Sequence, residues 1–600
     1  MTETSTRRIS LHSGAKSLSS IHSWAFAGSF LDFGQAAQAP DAMDIACIVG
    51  NRVLRGLTPY CNVHLLTPDN WRRVLEVIKP KLLIVESIVI SATHDWHLAQ
   101  CSPGVEQDEL LGIIRQFQKA DIPVVYWDTH DILYKSQFSS FAQNFETVFF
   151  SDWRYLNQKP SSADRSRLLQ PACVPFIHNP IAEKLTGPVI DAPVVFDGWA
   201  DLIRYGDQLS FLRDMTKDGL KIVDSRYRVF RNQLENFADI RDSIWGSVGS
   251  RDLVMLQKFS DAVISSDFSI SARLSQQWAA VEAAACRNAI YHHGRLGDDD
   301  MRQQFAIADD DGERLVERIR SDQKSSVKSN VNAQRAWRHV HGHHTFAHRL
   351  EQMGKVLGLE IAAPPAPKIS IITATYRMDM VERSIRQYDG QTYPRKELVL
   401  VVNGNAIDES RLKAIIGKRK DIKPVIVPAE RVEAGSLNHA IALAGGEYVV
   451  KMDDDDIYGP HYAGDLILHA CSANLDLFGK SNRYFYFEDD DAMYFRRRKT
   501  DLSMVPSSML LRVHIGGATL SGKTSFFRDQ PYPEMNFAAT DTHFYGNIEG
   551  KVAARTAVVD DTGFIYFRRG ASHHSWKIDN DKLKSTMEPL SSGMDTTILG

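Results

Sequence analysis

Cysteine is scarce in this chain of 600 residues, which contains only six. They stand far apart along the sequence, at Cys47, Cys61, Cys101, Cys173, Cys286 and Cys471. Disulfide frameworks and zinc clusters need cysteines at short, recurring spacings. The spacing here argues against both and favours a reducing compartment.

Long hydrophobic runs are also lacking. No segment approaches the roughly 18 consecutive apolar residues that indicate a transmembrane helix. Residues 1–20 contain no continuous apolar region of the kind that a signal peptide has. We expect a cytoplasmic protein, in which any association with the inner face of a membrane would be peripheral.

An excess of one charge is missing as well, because 70 Lys and Arg residues face 74 Asp and Glu residues, for a formal net charge of −4. This balance provides no overall field that would attract nucleic acid. We therefore expect no nucleic-acid partner. The length predicts several domains, because single cores stop growing at about 250–300 residues.

Residues 43–357 alternate short β-rich runs with longer helical stretches, a pattern typical of parallel α/β folds. We predict an N-terminal tail at 1–42, a first Rossmann-like lobe at 43–180 and a second at 181–357. The first lobe lacks an evident glycine-rich phosphate loop. Strands are predicted at 44–49, 81–86, 122–127, 147–150, 193–196, 220–223, 261–264 and 288–291, and one long helical region at 301–357.

Three prolines among alanines, Pro364, Pro365 and Pro367, mark the clearest boundary in the sequence. Proline can neither continue a helix nor donate to a β-ladder, so we predict an extended linker over 358–367. Directly after it, the pattern predicts strand, helix and strand, which is a right-handed βαβ unit. We expect a second module over 368–577 and a C-terminal tail at 578–600.

Four consecutive carboxylates, Asp453-Asp454-Asp455-Asp456, follow a strand-like run at 447–450. Such a run repels itself unless something positive lies beside it. A divalent cation of the Mg²⁺ or Mn²⁺ type is one partner, because hard ions prefer carboxylate oxygen. The alternative is a solvated acidic turn, which most charge runs are.

Several motifs of the second module together resemble the family 2 glycosyltransferases, which have the GT-A fold, a mixed sheet flanked by helices. They are S-I-I-T-A-T-Y-R, Q-T-Y-P, E-L-V-L-V-V-N-G, A-G-S-L-N-H-A-I-A-L-A-G-G-E-Y-V-V and M-D-D-D-D-I-Y-G-P, in the order of the family. The resemblance covers residues 368–575. It implies a nucleotide-sugar donor, a glycan acceptor and a Mn²⁺ or Mg²⁺ ion.

The resemblance also implies roles for single residues near the donor. Asp453 and Asp455 match the first and last carboxylates of the family's D-x-D signature. Asp455 would coordinate the cation, and Asp453 would lie towards the ribose or sugar beside it. Thr375, Tyr376 and Asn403 match positions that hold the nucleoside. The family more often has Asp at the position of Asn403, which leaves the identity of the nucleotide open.

On the acceptor side, Asp541 falls where the family carries an acidic motif that opens a helix, so the resemblance makes it the general base. A helix N-cap is the alternative role for this position. Arg568 and Arg569 end a predicted strand before His573 and His574. Such a segment suits a flexible lid that brings cationic and imidazole groups onto the diphosphate. In related enzymes a histidine at this place completes the metal shell. We assign that ligand to His574, although spacing does not choose between the two histidines.

The N-terminal half is similar to the GT-B spore-maturation-protein-type glycosyltransferases at two places, 273–286 and 335–349. The resemblance covers residues 170–357. It implies that Glu282 holds a donor hydroxyl and that Arg273 binds a phosphate, as a carboxylate and a guanidinium do. Arg287 departs from the family, which commonly has glycine there. A degenerate, inactive domain is the alternative.

We therefore predict an α/β protein with a GT-B-like pair of lobes and a GT-A module. The predicted function is a bifunctional glycosyltransferase that builds a surface polysaccharide of the capsule or O-antigen type, as a monomer or an oligomer. A single-activity enzyme with a glycan-binding or assembly scaffold is the alternative. A nucleotidyltransferase is a third hypothesis, but it needs a glycine-rich loop, and residues 370–377 contain no glycine.

Overall fold

The computed structural model describes residues 42–130, 135–154, 167–182, 193–198, 200, 203, 209–224, 227, 231–266, 273–294, 305–361, 365–404, 408–428, 432–496, 502–512, 515–535, 539–569 and 578–600. The chain forms two compact units. The N-terminal unit ends at Pro365, and the C-terminal unit comprises Ala366–Gly600 with a short segment that begins at Asn179. The division falls inside the predicted linker, while the predicted domain boundaries remain proposals.

The first sheet of the N-terminal unit has five parallel strands in the order β2-β1-β3-β4-β5. Every residue of β3 and β4 is buried, as expected for a parallel sheet covered on both faces. The strands are β1 (Met43–Ile48), β2 (Cys61–Leu65), β3 (Leu83–Glu86), β4 (Val124–Asp128) and β5 (Thr147–Phe150).

The second sheet of this unit has six parallel strands in the order β11-β10-β9-β6-β7-β8. The predicted pair of parallel, Rossmann-like lobes is therefore confirmed as an architecture. The strands are β6 (Val194–Asp197), β7 (Leu220–Val223), β8 (Ile244–Gly246), β9 (Ala262–Ser266), β10 (Ala289–His293) and β11 (Ala306–Asp309).

The helices of the N-terminal unit lie between these strands and after β11. They are α1 (Asn51–Leu57), α2 (Trp71–Arg73, continued by a π-helical turn to Ile78), α3 (Val105–Lys119), α4 (Lys135–Ala142), α5 (Leu212–Met215), α6 (Ser250–Phe259), α7 (Arg273–Ala285), α8 (Gly312–Lys324), α9 (Ser326–His343) and α10 (Phe346–Leu357).

The prediction of one helical region over 301–357 is wrong. Strand β11 lies within it, and three separate helices follow. Each begins at a side-chain cap: Asp311 accepts hydrogen bonds from the N–H groups of Glu313 and Arg314, and Ser325 accepts one from Lys328. Thr345 starts the last helix with a capping box. These caps end one helix and begin the next, because they satisfy backbone donors that a helix start leaves free.

The main sheet of the C-terminal unit is mixed, with the strand order β14-β13-β12-β15-β21-β17-β22-β20. Strands β12 to β15 are parallel, and β21 runs antiparallel to β15 and β17. The strands are β12 (Ile369–Thr375), β13 (Lys396–Asn403), β14 (Ile422–Val427), β15 (Tyr448–Lys451), β17 (Leu477–Gly479), β20 (Ser503–Val505), β21 (Ser521–Lys523) and β22 (Thr556–Val558).

A smaller sheet in the order β16-β23-β18-β19-β24 completes the unit. Part of it lies in the predicted C-terminal tail, because β24 pairs with β19. Its strands are β16 (Ile457–Tyr458), β18 (Tyr484–Phe487), β19 (Ala492–Phe495), β23 (Phe564–Arg568) and β24 (Glu588–Ser592).

Helices cover the main sheet on both faces. Along β13, Leu398, Leu400 and Val402 belong to one hydrophobic cluster, whereas Val399 and Val401 belong to another. The predicted mixed α/β sheet flanked by helices is thus confirmed. The helices are α11 (Met378–Asp389), α12 (Glu409–Ile416), α13 (Glu433–Leu443), α14 (Tyr462–Ala473), α15 (Thr524–Asp529), α16 (Thr540–Ile548) and α17 (Asn580–Lys584).

None of the helices in the described ranges combines the length and the apolar character that crossing a bilayer requires.

A buried carboxylate, Glu397, ties together the beginnings of several strands of the main sheet. It accepts hydrogen bonds from Lys368, Ser370, Lys423 and the N–H of Gly445. Burial alone would raise its pKa, but these four donors outweigh burial and lower the pKa to about 2. The charged form of Glu397 therefore stabilises the folded unit.

Replacing Glu397 by glutamine is expected to destabilise the C-terminal unit by about 3 kcal/mol at pH 7, the free energy that corresponds to the lowered pKa. The pKa is depressed on folding, so the contribution is complete above pH 4.5 and is lost as the pH falls through about 2. Thermal unfolding against pH measures this, with Glu409→Gln on the exposed face of α12 as the control. Equal unfolding temperatures of the E397Q variant and the wild type at pH 7 would contradict the prediction.

Candidate functional site

The carboxyl ends of three adjacent parallel strands, β13, β12 and β15, meet at one edge of the main sheet of the C-terminal unit. Asn403 ends β13, Thr375 ends β12, and the acidic run 453–456 begins just beyond Lys451, which ends β15. Ligands of α/β sheets bind at this edge. The predicted donor-side residues are thus brought together by the topology of the sheet.

Asp453 is held by a lysine from the strand that precedes it. Its Oδ1 lies 2.9 Å from Lys451 Nζ, and its N–H donates to the Tyr458 hydroxyl (2.7 Å). Burial raises the pKa of Asp453 to about 7, Lys451 lowers it, and Glu433 adds to the raising effect. Part of its carboxylate still faces solvent, since the side chain is 31% exposed.

Asp454 is engaged inside the protein. The hydroxyl of Thr375 donates to its Oδ2, and Arg377 Nη2 lies 2.6 Å from its Oδ1. Asp455 lies farther from the same guanidinium, at 3.4 Å from Nη2, and its side chain is 23% exposed. Asp453 and Asp455 are therefore the two carboxylates of the run that can reach a ligand.

Asp456 fixes the end of the run. It is buried, and its Oδ1 accepts a hydrogen bond from the N–H of Phe567 (2.9 Å). Its carbonyl oxygen accepts from Arg383 (2.8 Å) and Gln387 (3.0 Å) of α11. Burial, followed by the charges of Asp455 and Asp453, raises its pKa well above the usual range. The backbone of the run is thus anchored to a helix and to β23.

The donor set suits a hard divalent cation, because the exposed groups of the run are carboxylate oxygens. Asp455 and Asp453 are the residues that would hold it. Within the described ranges, no three or more His, Cys, Asp and Glu side chains gather into a metal-binding group. The predicted third ligand, His574, and its alternative, His573, lie outside the described residues.

The predicted general base, Asp541, lies in the first turn of α16. The N-cap of this helix is Ala539, so the alternative role of Asp541 as an N-cap is wrong. Asp541 Oδ1 accepts a hydrogen bond from the N–H of Thr542 (2.9 Å). A Cβ atom added at Gly517 would lie only 2.8 Å from Asp541 Oδ2. The absence of a side chain at Gly517 therefore makes room for this carboxylate.

Gly517 also connects Asp541 to the acidic run. Its carbonyl oxygen accepts a hydrogen bond from Lys451 Nζ (3.0 Å), the same group that pairs with Asp453. Glu433 of α13 lies 3.5 Å from Lys451 Nζ and accepts a hydrogen bond from Thr540 (3.0 Å), beside Asp541. The two carboxylates that the sequence assigns to donor and acceptor thus share one network of neighbours.

Lys451, Glu433 and Gly517 were missed by the sequence reasoning. The signal for Lys451 is a single lysine at the end of an otherwise apolar strand, two residues before the first of four carboxylates. Its Nζ is nearly buried, and although burial lowers its pKa, Asp453 and Glu433 raise it well above the usual value. For Glu433 and Gly517 the sequence carries no comparable signal, because their roles depend on tertiary contacts.

The three predicted nucleoside contacts differ in their surroundings. Thr375 is buried and bonded to Asp454. Tyr376 is 70% exposed, with the Arg377 guanidinium 5.3 Å from its ring centre. Asn403 donates to the Ser436 hydroxyl (3.3 Å). Tyr376 is the aromatic residue among the three, and its exposed ring is available to stack on a base.

Asn438 has a structural role. Its side-chain amide exchanges two hydrogen bonds of 2.9 Å with the backbone of Tyr532. It therefore fixes the segment before α16.

Arg568 and Arg569 are not equivalent in the structure. Arg568 is fully buried and bonds to Asn580 and to the carbonyl oxygen of Ile578. A side chain without exposed surface cannot reach a diphosphate, so the predicted contact does not match this placement. Arg569 is about one third exposed, and its Nε lies 3.2 Å from Glu488.

The N-terminal unit brings Glu282 of α7 to Arg52 of α1, with 3.1 Å between Oε1 and Nε. Burial raises the pKa of Glu86 at the end of β3 to about 7 and that of Asp197 at the end of β6 to about 6, and Arg52 opposes both shifts. Arg52 thus pairs with Glu282, and its charge also acts on a carboxylate at the end of one strand in each lobe. Helix α7 begins at the other predicted residue, Arg273, whose side chain lies outside the described part of the structure.

Arg287 follows the end of α7 in a backbone conformation that favours glycine. Its φ is +65°, a left-handed conformation that glycine adopts without strain after a helix end. Gln334 accepts a hydrogen bond from Arg287 Nε (2.6 Å) and holds it there.

Residues 370–532 match the family model described as Glycosyl transferase family 2. The chain therefore contains a glycosyltransferase domain, as the motifs predict. No curated protein matches the chain significantly. The resemblance of the N-terminal half to the spore-maturation-protein type stays a prediction.

Solved structures similar to this chain include the mannosyltransferase PcManGT from Pyrobaculum calidifontis in complex with GDP-Man and Mn²⁺, at 17% identity and a TM-score of 0.25. They also include residues 1–349 of TarS from S. aureus in complex with UDP-GlcNAc, at 18% identity and a TM-score of 0.26. Each match covers 34% of this chain and 59% of the other. The chain thus spans less than two thirds of either protein.

Proposed function

We propose that the C-terminal unit transfers a sugar from a nucleotide-sugar donor to a hydroxyl group of a glycan acceptor, with inversion at the anomeric carbon. The observation that carries this proposal is the shared network at Gly517, whose carbonyl binds Lys451, the partner of Asp453, and whose Cα faces Asp541. One carboxylate serves the donor, and the other serves the acceptor.

The reaction is a single displacement. The acceptor oxygen forms a bond to the anomeric carbon, the bond from that carbon to the diphosphate oxygen breaks, and Asp541 takes the acceptor proton. The nucleoside diphosphate leaves with the electron pair. Attack from the face opposite the diphosphate requires the base and the donor carboxylates to address different sides of one sugar.

Asp455, with Asp453 beside it, is the proposed holder of Mn²⁺ or Mg²⁺. Such an ion supplies positive charge that stabilises the departing diphosphate. Asp453 is further proposed to accept a hydrogen bond from a hydroxyl of the ribose or the sugar. Tyr376 is the proposed stacking surface for the base, and Asn403 lies at the end of the neighbouring strand.

A screen of nucleotide sugars with purified full-length protein tests this proposal. We expect one donor class to yield free nucleoside diphosphate, faster when the acceptor is present. The anomeric configuration of the product, read by NMR coupling constants, should be opposite to that of the donor. Retention of configuration would contradict the role of Asp541, and release of pyrophosphate would favour a nucleotidyltransferase.

The N-terminal unit is proposed to hold a second glycosyltransferase activity. The observation that favours it is the Arg52–Glu282 pair. The charge of Arg52 also lowers the pKa of Glu86 and of Asp197, which lie at the ends of strands in the two lobes. Linked transferases suit the synthesis of a repeating polymer such as a capsule or O-antigen chain, since tethering raises the local concentration of each product. A non-catalytic glycan-binding or assembly scaffold is the alternative.

The second activity is tested in the full chain with the first one removed. We expect Asp541→Asn to retain turnover of a second donor, and the further change Glu282→Gln to lower that turnover about 10- to 100-fold, because a charge-assisted hydrogen bond to the donor is lost. Glu351→Gln on the exposed face of α10 is the control. If D541N protein turns over no donor at all, the scaffold alternative is favoured.

A further inference from the structure

We propose that Lys480 and Asp560 are positioning residues for the transfer reaction, and this inference rests on the proposed function of the C-terminal unit. They form an ion pair with no exposed side-chain surface. Through the backbone of Lys480, the pair fixes the turn 516–519, which carries Gly517. This turn holds Asp453 and Asp541 in register.

The ion pair is fully satisfied by its surroundings. Lys480 Nζ lies 2.8 Å from each carboxylate oxygen of Asp560. Asp560 also accepts from the N–H (2.9 Å) and the hydroxyl (2.8 Å) of Thr562 and from His469 Nε2 (3.0 Å). Burial lowers the pKa of His469 although Asp560 raises it, and the ring donates from Nε2 because an ionised carboxylate only accepts. The carboxylate thus has one fixed orientation.

The backbone of Lys480 forms hydrogen bonds with both ends of the turn 516–519. Its carbonyl oxygen accepts a hydrogen bond from the N–H of Gly516 (2.8 Å). Its own N–H donates to the Thr519 hydroxyl (2.9 Å), which lies 3.0 Å from the Lys480 carbonyl oxygen. The turn closes on itself through the N–H of Thr519 and the carbonyl of Gly516 (2.9 Å). A shift of Lys480 would therefore move the whole turn.

The turn touches the site at three points. The carbonyl oxygen of Gly517 accepts from Lys451, and the Cα of Gly517 faces Asp541. The carbonyl oxygen of Ala518 accepts from the Tyr458 hydroxyl (3.0 Å), which in turn accepts the N–H of Asp453. Both the donor carboxylate and the base are thus connected to this single turn.

Stability alone does not require an ion pair here, because well-packed apolar residues of similar volume stabilise a core as well as or better than a buried pair. The ion pair adds a fixed orientation of the lysine. Two hydrogen bonds to one carboxylate hold the side chain of Lys480 and thereby its backbone. A displacement of about 1 Å in a site can cost about 100-fold in rate. We therefore expect the pair to act on kcat more than on donor binding.

The test compares Lys480→Met/Asp560→Asn with the wild type in the full chain. The double variant leaves no unpaired charge. The amide introduced at position 560 can still accept from Thr562, and it can donate to Nε2 of His469 when that ring carries its proton on Nδ1 instead, so the protein is expected to fold. Glu397→Gln is the matched control, a change to a buried polar network at the opposite ends of the strands. We expect kcat to fall about 10- to 100-fold in the double variant, with the Kd for nucleoside diphosphate changed less than twofold, and kcat to be kept in the folded control.

Hydrogen–deuterium exchange of a peptide that covers 515–520 provides a readout that does not depend on activity. We expect its amides to exchange at least tenfold faster in the double variant. The inference is overturned if exchange at 515–520 is unchanged, if kcat stays within twofold of the wild type, or if donor binding is lost in step with kcat. A wild-type chain that transfers no sugar would refute the proposed function instead, and the exchange result would still decide whether the pair fixes the turn.

Discussion

Replacing Asp541 by asparagine is expected to lower kcat for sugar transfer by about 10²- to 10⁴-fold, the usual contribution of a general base. Asparagine has the shape of aspartate but cannot take a proton from the acceptor hydroxyl. Its side-chain oxygen can still accept the hydrogen bond from the N–H of Thr542, which Asp541 accepts at 2.9 Å. The helix and the space beside Gly517 should therefore be preserved, and the loss should fall on the chemical step.

Donor binding separates this effect from a structural one. The proposed donor contacts lie at the ends of β12, β13 and β15, so the Kd for nucleoside diphosphate in the D541N variant should stay within about twofold, well under the 1.4 kcal/mol that a tenfold change represents. Isothermal titration measures this Kd, and initial rates at saturating acceptor measure kcat. Glu409→Gln is the control, because Glu409 is an exposed carboxylate in the first turn of another helix of the same unit.

A D541N variant that keeps more than about a tenth of the wild-type kcat would be inconsistent with general-base catalysis by this residue. A second substitution sharpens the result. Gly517→Ala puts a methyl group 2.8 Å from Asp541 Oδ2, closer than such atoms approach. It should lower kcat as well, because the carboxylate must move although its charge is kept.

The sheet edge that carries the donor residues could be predicted from the sequence. Runs such as 369–375 and 396–403 are apolar on both faces and are separated by one helix, and this pattern allows little other than adjacent parallel strands. The residues that follow such strands must then meet at one edge. For this reason Thr375, Asn403 and the acidic run lie together as the motifs predict.

The orientation of side chains at the ends of the strands could not be predicted. Thr375 matches a nucleoside contact, but its hydroxyl donates to Asp454 inside the protein. Arg568 ends a strand beside Arg569, yet only Arg569 has exposed surface. Neighbouring residues on a strand point to opposite faces, and the sequence does not say which face is buried when both carry charges.

The neighbours of the acidic run could not be predicted from the sequence either. Four carboxylates require positive charge nearby, and from the sequence a metal ion is the obvious source. The structure adds Lys451 beside Asp453 and Arg377 beside Asp454 and Asp455. Arg377 lies 77 residues from Asp454 along the chain. Only the tertiary fold brings it there, because it depends on β12 and β15 being adjacent in the sheet.

These internal cations lead to a second prediction with a large effect, which concerns metal removal. Chelation with EDTA is expected to lower the rate of sugar transfer by about 10²-fold or more. The ion that is removed would stabilise the charge of the departing diphosphate in the transition state by several kcal/mol. Unfolding should not be affected by EDTA. The repulsion within the run is already offset by Lys451 and Arg377, so the unfolding temperature should be the same with and without the chelator. Addition of Mn²⁺ or Mg²⁺ should restore the rate.

Two asparagine substitutions within the run locate the ion. Asp455→Asn should raise the Mn²⁺ concentration for half-maximal activity by at least about tenfold, since an exposed carboxylate ligand is lost. Asp454→Asn is the matched control, because Asp454 is occupied by Thr375 and Arg377 and should affect stability but not the Mn²⁺ requirement. Binding of Mn²⁺ in the presence of nucleoside diphosphate, followed by electron paramagnetic resonance, gives the same comparison without turnover. Full activity in EDTA would mean that Lys451 and Arg377 serve the site in place of a metal. Equal Mn²⁺ requirements of the two variants would contradict the assignment of Asp455 as the ligand.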